Sequence, residues 1–318
     1  MDYIVVDFEW NQSAYGKGST NKKLPFEIIE IGAVKLNEKR QFVEEFHGVI
    51  RPKVYRSLNY VTQELTGFTQ EELDQGELFP HTIVDFILWC GEAFMFCTWG
   101  DMDLTELQRN MKFYKLDDLL VGPIKYYNVQ KLFRNLLDPQ KRLSCALETA
   151  VDLLKIEKQE GFHRALSDAR YTAEIFQRMK LSDAQRMYSV DYFQNPQRRE
   201  DEIHLVYDTH YKYVSKEFNS KEEAMSDKEV RATRCYRCGK PAMKKMHWFL
   251  GKNKVYYCLA QCREHGLLRG KIRFKKTDND RLFVVKTLRL IDGEEAMRIR
   301  EMKKEVTKKR REKRHRDA

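Results

Sequence analysis

Several features that define whole classes of protein are missing from this chain of 318 residues. It has only 7 Pro and 15 Gly, too few for a collagen-like or Gly/Pro-rich disordered chain. Its most apolar stretch, residues 82–99, is interrupted by Asp85 and Glu92, so the sequence predicts no membrane span. The first residues lack the basic segment and long apolar core of a secretory signal. We therefore expect a cytoplasmic protein whose seven cysteines are thiols or metal ligands, not disulfides.

Charge divides the chain into two parts. Residues 231–318 carry 28 Lys and Arg against 10 Asp and Glu, a net charge of +18, whereas residues 1–230 carry −8. A basic segment of this kind most often binds a polyanion, because each neutralised phosphate releases condensed counterions. A solvated, solubilising tail is the alternative. The change in charge predicts a domain boundary near residue 230.

The order of the predicted elements indicates an α/β fold. Alternating or continuous apolar runs predict strands at residues 3–10, 27–36, 41–50 and 93–98. Apolar residues at helical spacing predict helices at residues 69–75, 80–90, 104–114, 129–137, 145–154 and 166–179. This order predicts a mixed sheet flanked by helices. A mixed, polar connector is expected at residues 181–230.

Two carboxylates on the first predicted strand are candidates for a functional site. Asp7 and Glu9 share a face because side chains alternate along a strand, while Phe8 and its apolar neighbours fill the other face. Two adjacent carboxylates repel each other unless a cation lies between them, and hard divalent ions prefer such oxygen ligands. Asp-x-Glu also occurs by chance, so a solvated strand end is the alternative.

Three further residues extend this candidate site. Asp103 follows the short buried strand at the turn into a helix, where the sites of open α/β sheets gather. Its neighbours Asp101 and Glu106 are competitors, each of which is also explained as a favourable charge at a helix N-terminus. His163 is predicted to lie in a loop and Asp168 in the first turn of the next helix. A surface histidine and a second helix-terminal acid are the alternatives there.

These motifs together resemble those of the DEDDh (DnaQ-like) 3′→5′ exonucleases. The matching motifs are Asp7-x-Glu9, Trp99-Gly100-x-x-Asp103 and His163-x-x-x-x-Asp168. Residues 26–33 and 65–68 are similar to an Eri-like branch, which includes RNA-trimming enzymes and KapD-type proteins. The resemblance covers about residues 1–180 and implies a ribonuclease H-like fold.

The resemblance also implies a mechanism. The family's two divalent ions, Mg²⁺ or Mn²⁺, would be held by Asp7, Glu9, Asp103 and Asp168. His163 would take the proton of the attacking water, and nucleoside 5′-monophosphates would leave the 3′ end of single-stranded RNA or DNA, with RNA favoured. The residues expected to hold the terminal nucleotide are Phe8, Leu65, Thr66 and Gly67. The alternatives are a DNA repair or proofreading exonuclease, and a nucleic-acid or ribosome-binding adaptor with a vestigial nuclease domain.

A second constellation consists of cysteines in the basic part. Cys235 and Cys238 form a knuckle followed by Gly239, and Cys258 and Cys262 follow a predicted β-hairpin. If the latter pair lies on a helix, both thiols face one side, and four thiolates suit a structural Zn²⁺ ion. His247 and His265 are alternative ligands, and buried core cysteines are the alternative to a metal site. The order of knuckle, hairpin and helix resembles a treble-clef or zinc-ribbon module.

The basic residues around these cysteines predict the partner of this region. Lys and Arg side chains can follow phosphates while interleaved Tyr and Trp rings stack on bases, although packing of the module's own core also explains the rings. We expect a zinc-binding basic domain at residues 231–290 that binds the substrate, structured RNA or the ribosome. Residues 291–318 form a basic tail, expected to be disordered or helical only on nucleic acid.

Overall fold

The chain forms two structural units. The computed structural model describes residues 1–138, 140, 145–277 and 279–316, without the side chains of residues 17, 310, 311 and 313–316. The units are Met1–Gln194 and Asn195–Ala318. The change in charge predicts a boundary near residue 230, but two strands that precede that residue pair with the second sheet. These two strands belong to the second unit because of their backbone pairing, which the composition of the sequence does not reveal. None of the described helices is long and apolar enough to cross a membrane.

The first unit is a six-stranded mixed sheet with helices on both faces, which confirms the predicted fold class. Its strands are β1 (Asp2–Asn11), β2 (Glu27–Leu36), β3 (Phe42–Val49), β4 (Phe94–Thr98), β5 (Ile124–Asn128) and β6 (Ser189–Asp191). Its helices are α1 (Tyr60–Thr66), α2 (Gln70–Asp74), α3 (Phe79–Cys90), α4 (Met102–Phe113), α5 (Val129–Leu136), α6 (Leu147–Leu153), α7 (Ala165–Gln177) and α8 (Leu181–Gln185). The spatial order is β3-β2-β1-β4-β5-β6, with β3 at one edge.

Strand β1 organises the core because its side chains alternate between two apolar clusters. Tyr3 and Val5 are buried against helices α5, α6 and α7, whereas Ile4, Val6 and Phe8 are buried against α3 and α4. The strand pairs antiparallel with β2 and parallel with β4. It therefore ends at the same edge of the sheet as β4, and this arrangement brings the two chain segments that carry the acids together.

The second unit is a six-stranded antiparallel sheet. Its strands are β7 (Ile203–Val206), β8 (Tyr211–Phe218), β9 (Met243–Leu250), β10 (Tyr256–Cys262), β11 (Gly266–Lys276) and β12 (Leu282–Leu290), in the order β7-β8-β12-β11-β10-β9. Its helices are α9 (Lys221–Ser226), α10 (Lys228–Arg231) and α11 (Gly293–Arg316). Residues of α9 and α10 close an apolar cluster on one face of this sheet.

One prediction for this unit is wrong. The segment that contains Cys258 and Cys262 is a strand, not a helix, because it pairs along its length with β11. The basic tail, expected to be disordered or to be helical only on nucleic acid, is helical at Gly293–Arg316. Ala296 and Ile299 lie one turn apart on this helix and are buried, which accounts for the docking of its first turns. The basic run at residues 308–314 lies partly outside the described side chains.

Candidate active site and metal centre

Asp7 and Glu9 lie together on β1, as the alternation of the strand predicts. Their side chains share the face that carries the buried residues Tyr3 and Val5, the face covered by α7. The main-chain position opposite Asp7 on β2 is Gly32. The two carboxylates are thus fixed by a strand that is paired on both sides, not by a mobile loop.

The structure distinguishes Asp103 from its two competitors. Asp103 is buried in the first turn of α4, directly after β4, and its carboxylate is close enough to Asp7 to raise the pKa of that residue. Asp101 is exposed. Glu106 is buried but forms an ion pair with Arg109, 3.1 Å between Oε2 and Nε. Asp103 is therefore the acid of this segment that joins the cluster.

His163 and Asp168 approach the strand carboxylates from the start of α7. The main-chain N–H of His163 donates to Oδ2 of Asp168 at 3.2 Å, and His163 adopts the left-handed conformation with φ of 67°. Ligand atoms of Glu9, His163 and Asp168 all lie within 4.8 Å of one another. The other carboxylate oxygen of Asp168, Oδ1, is buried and has no hydrogen-bond partner among the described residues.

Burial and the repulsion of neighbouring acids raise the pKa values of all four carboxyl groups. The pKa of Asp7 is raised well above its usual range, by burial first and then by Asp103, Glu9 and Asp168. Burial is also the largest cause for the others, and it raises the pKa of Glu9 to about 8, of Asp103 to about 7 and of Asp168 to about 6. Four converging carboxylates with an orphan oxygen among them fit hard divalent cations, which prefer oxygen ligands.

Two residues of β2, Glu30 and Gly32, position the His163–Asp168 segment, a role that motif reasoning missed. We call these two residues the platform. The buried carboxylate of Glu30 accepts hydrogen bonds from the main-chain N–H of Ala165 at 2.9 Å and from the Arg164 guanidinium. Glu30 also contacts His47 at 2.8 Å. Buried ion pairs of this kind constrain geometry strongly, because removal of one partner leaves the other charge uncompensated. Glu30 thereby fixes the N-terminus of α7 relative to β1.

Gly32 completes this platform through its lack of a side chain. A Cβ atom at this position would lie 2.0 Å from the main-chain nitrogen of Leu166 and 2.1 Å from the carbonyl carbon of Ala165. The start of α7 therefore packs directly on the backbone of β2. The signal in the sequence was available: an acid and a glycine interrupt a strand whose ten residues are all buried.

The expected nucleotide-binding residues divide into two groups. Phe8 is only 2% exposed and packs edge-on against Phe86, with 6.4 Å between ring centroids, so its ring is a core group on the face opposite the acids. Leu65 is 52% exposed at the end of α1, and Gly67 ends that helix in the left-handed conformation. Thr66 is buried, and its hydroxyl donates to the carbonyl of Thr62 at 2.7 Å. Of these residues, Leu65 offers an apolar side chain to a ligand.

Hydrogen bonds connect the start of helix α1 to strand β1, and a cation–π contact connects the segment after α1 to the start of α7. Asn11, at the end of β1, donates from Nδ2 to the Tyr55 carbonyl at 2.8 Å and accepts from the N–H of Asn59, the N-cap residue of α1, at 3.0 Å. Beyond the helix, the guanidinium of Arg164 lies 4.1 Å from the ring centroid of Phe68. The segment that carries Leu65 is therefore anchored to the end of β1 and to the start of α7.

The cysteine cluster of the second unit has a different membership from the one predicted. Ligand atoms of Cys235, Cys238, Cys262 and His265 all lie within 4.8 Å of one another. The Sγ atoms of Cys238 and Cys262 are 3.6 Å apart, and His265 Nδ1 lies 3.6 Å from Cys235 Sγ and 3.7 Å from Cys262 Sγ. His265, the alternative ligand, takes the fourth position.

Cys258 is outside this cluster because of the strand geometry. Four residues along a strand span about 13 Å, whereas four residues along a helix would have placed the two thiols side by side. The thiol of Cys258 is buried, and a Cβ atom on Gly270 would lie 2.4 Å from its sulfur. Burial raises the pKa of Cys258 to about 12, whereas contact with His265 lowers the pKa of Cys262. Cys258 is a core residue.

Comparison with known proteins identifies the family to which this fold and site belong. A family model described as exonuclease (RNase_T) matches residues 4–176, more than half of the chain. The chain therefore belongs to this exonuclease family, which confirms the resemblance of the sequence motifs.

Individual relatives match the same part of the chain. ERI1 exoribonuclease 2 of Xenopus laevis is 32% identical over 204 residues, which cover 55% of this chain and 28% of that protein. The probable 3′-5′ exonuclease KapD of Bacillus subtilis is 27% identical over 196 residues, 58% of this chain and 86% of that protein. The solved nuclease domain of 3′hExo, a DEDDh family member, matches 60% of this chain at 20% identity with a TM-score of 0.49.

Proposed function

We propose that this protein is a metal-dependent 3′→5′ exonuclease that removes nucleoside 5′-monophosphates from single-stranded RNA. The observation that carries the proposal is the convergence of Asp7, Glu9, Asp103 and Asp168 beside His163 in a chain of the exonuclease family. RNA is favoured over DNA because four of the similar proteins are named as exoribonucleases, against three named as DNA polymerases.

Each residue of the site has a distinct part in this proposal. The four carboxylates hold two divalent ions, Mg²⁺ or Mn²⁺, and the chemistry that such ions supply when bound is stabilisation of the attacking and leaving oxygens of a phosphoryl displacement. The exposed ring of His163 accepts the proton of the attacking water, a role that suits an imidazole near neutral pH. Glu30 holds the main chain next to His163 in place through Ala165. Leu65 packs against the terminal nucleotide.

The neighbouring acids Asp101 and Asp103 provide a matched test. Asp103→Asn removes a member of the cluster, whereas Asp101→Asn removes an exposed acid two residues away. Single-stranded RNA and DNA of equal sequence, labelled at the 5′ end, are incubated with Mg²⁺, Mn²⁺ or EDTA. We expect a metal-dependent ladder that shortens from the 3′ end with wild type and Asp101→Asn, faster on RNA, and none with Asp103→Asn.

Other outcomes of this assay decide between the alternatives. Faster cleavage of DNA would indicate a repair or proofreading exonuclease. Tight binding without cleavage in every metal would refute the nuclease proposal and indicate an adaptor. His163→Ala should lower kcat by about 10²–10⁴ with little change in KM, since general bases contribute rate enhancement of this size.

We also propose that Cys235, Cys238, Cys262 and His265 bind one structural Zn²⁺ ion. Zn–S bonds of about 2.3 Å and Zn–N bonds of about 2.0 Å in a tetrahedron place the ligand atoms about 3.5–3.8 Å apart. The three separations of 3.6, 3.6 and 3.7 Å agree with this geometry. Four protein ligands leave no open position, so the ion would stabilise the fold and not take part in hydrolysis.

The two cysteines of β10 test the ligand set. We expect about one zinc per chain, measured by elemental analysis, in wild type and in Cys258→Ala, and a loss of zinc in Cys262→Ala and His265→Ala. Equal zinc content in all four proteins, or its loss on mutation of Cys258 alone, would contradict this assignment.

A further inference from the structure

The sheet of the second unit has one face that is rich in arginine and lysine. Side chains of β11 alternate: Leu268 and Ile272 are fully buried in apolar clusters, one with the metal-site cysteines and one with α9 and α10. The intervening residues therefore project from the opposite face. We call Arg269, Lys271 and Arg273 of β11, together with Arg289 of β12, the cationic face.

The four side chains of the cationic face lie close together. Arg269 and Arg289 are directly opposite each other in the antiparallel register. The pKa of Lys271 is lowered by burial first and then by the charges of Arg273, Arg269 and Arg289. On this face, four positive groups repel one another within a part-exposed surface, an arrangement that costs the folded protein free energy.

The described residues compensate this charge only in part. Glu295, from the first turn of α11, is 2.6 Å from both Arg269 and Arg289. In the described part of the chain, Lys271 and Arg273 have no ion pair and no side-chain hydrogen bond. Arg273 is exposed, and Lys271 is part-exposed. Two cations of the face are thus available to an external anion.

The geometry suits an extended polyanion better than a single small anion. Arg269, Lys271 and Arg273 form a row of alternate residues, with about 7 Å between successive positions. Lys271 also has Tyr257 and Thr287 as its neighbours on β10 and β12, both part-exposed. A row of cations beside hydroxyl groups can contact successive phosphates of one strand.

We propose that the cationic face binds the phosphate backbone of the nucleic-acid substrate, outside the catalytic unit. This inference rests on the proposed exonuclease function for the identity of the polyanion. Basic residues near the cysteines, which the sequence singles out, are not required for it. The affinity gained should depend on salt and not on base sequence, because contacts with phosphates carry no sequence information.

A charge-matched pair of double variants tests this proposal in the full chain. Lys271→Gln/Arg273→Gln removes two positive charges from the cationic face. Lys221→Gln/Lys228→Gln removes two exposed lysines from α9 and α10, on the opposite face of the same sheet. Binding of a long, fluorescently labelled single-stranded RNA is measured in EDTA, which prevents metal-dependent cleavage, over a series of KCl concentrations.

We expect the salt dependence of binding to be weaker in the cationic-face variant and unchanged in the control. The slope of log K against log [KCl] should become shallower by up to about 1.4, since each phosphate contact on a single strand contributes about 0.7. Cleavage of a dinucleotide should keep the wild-type kcat, since neither substituted residue belongs to the unit that carries the four acids. Circular dichroism spectra equal to that of wild type would show that both variants fold.

The outcomes separate this inference from the proposed function. Equal slopes for wild type and both variants would overturn the cationic face as a substrate surface, even if the enzyme cleaves RNA. A shallower slope in a protein that cleaves neither RNA nor DNA would retain the binding face while the exonuclease proposal fails. Reduced binding in both variants to the same extent would show that net charge alone is responsible, which also overturns the inference.

Discussion

Glu9→Gln should stabilise the metal-free protein while it abolishes activity. Glu9 is part-exposed on β1 among three other acids, and its pKa of about 8 compares with 4.5 for an unperturbed glutamate. A carboxyl group whose folded pKa is raised binds more protons in the folded than in the unfolded state. Its contribution to stability is therefore lost as pH rises from about 4.5 through about 8.

The size of this effect follows from the pKa difference. At pH 8, ionisation of Glu9 costs the folded protein at most about 4 kcal/mol relative to the unfolded chain. A neutral glutamine of nearly the same shape avoids this cost. For a unit of this size, 1 kcal/mol shifts Tm by about 2–4 °C, so the variant should melt up to roughly 8–16 °C higher in EDTA at pH 8. At pH 5 the difference should nearly vanish, because Glu9 is then protonated in the folded protein.

Thermal unfolding measures this effect. Wild type and Glu9→Gln are compared at pH 5 and pH 8, with EDTA or with excess Mn²⁺. Mn²⁺ should raise the Tm of wild type at pH 8 by more than that of the variant, since the variant lacks one ligand charge. Glu38→Gln, an exposed change in the β2–β3 turn, is the control and should leave Tm unchanged. A Tm in EDTA that falls equally at both pH values would refute the reasoning, because it would show that Glu9 acts through packing or hydrogen bonds.

Two further predictions concern the platform and the second unit. Gly32→Ala should displace the start of α7, because its Cβ would lie 2.0 Å from the Leu166 nitrogen. Urea unfolding should show that the free energy of unfolding falls by at least about 2 kcal/mol, and activity assays should show a lower kcat. Gly18→Ala, with open space around it, is the control and should change neither quantity. Buried Lys286 has a pKa lowered to about 8 by burial, so the unfolded chain binds more protons between about pH 8 and 10.5 and stability should rise with pH there. Urea unfolding should show that the free energy of unfolding rises by up to roughly 3 kcal/mol over this pH range in wild type but not in Lys286→Met. If the free energies of unfolding of the two proteins changed in parallel with pH, the prediction would be wrong.

The first unit was predictable from local sequence because its signals are local. The alternation of β1 placed Asp7 and Glu9 on one face, and the buried run of β2 was delimited correctly at Glu27–Leu36. Strand β5 escaped prediction because its five residues include the exposed Lys125 and so lack the continuous apolar run that marks the equally short β4. The cluster of the acids depends on β1 lying parallel to β4, which follows from the order of the elements but not from any one of them.

The cysteine cluster was only half predictable, because its membership depends on long-range interactions. The knuckle of Cys235 and Cys238 is a local motif, but the choice between Cys258 and His265 depends on whether one segment is helix or strand. Pairing with β11, a long-range interaction, decides this conformation. Likewise, Glu30 gains its importance from contacts with Ala165, which lies 135 residues further along the chain.

The position of β3 at the edge of the first sheet has a consequence for behaviour in concentrated solution. An edge strand offers unpaired main-chain groups to other molecules, and Phe42 and Val43 add exposed apolar surface at 59% and 47%. Glu44 and Glu45 next to them are charged and ion-paired with Lys35 and Arg170. Charged side chains of this kind on an edge strand oppose edge-to-edge pairing with another molecule. Replacement of Glu44 and Glu45 by neutral residues would therefore leave Phe42 and Val43 as an exposed apolar edge that favours association in concentrated solution.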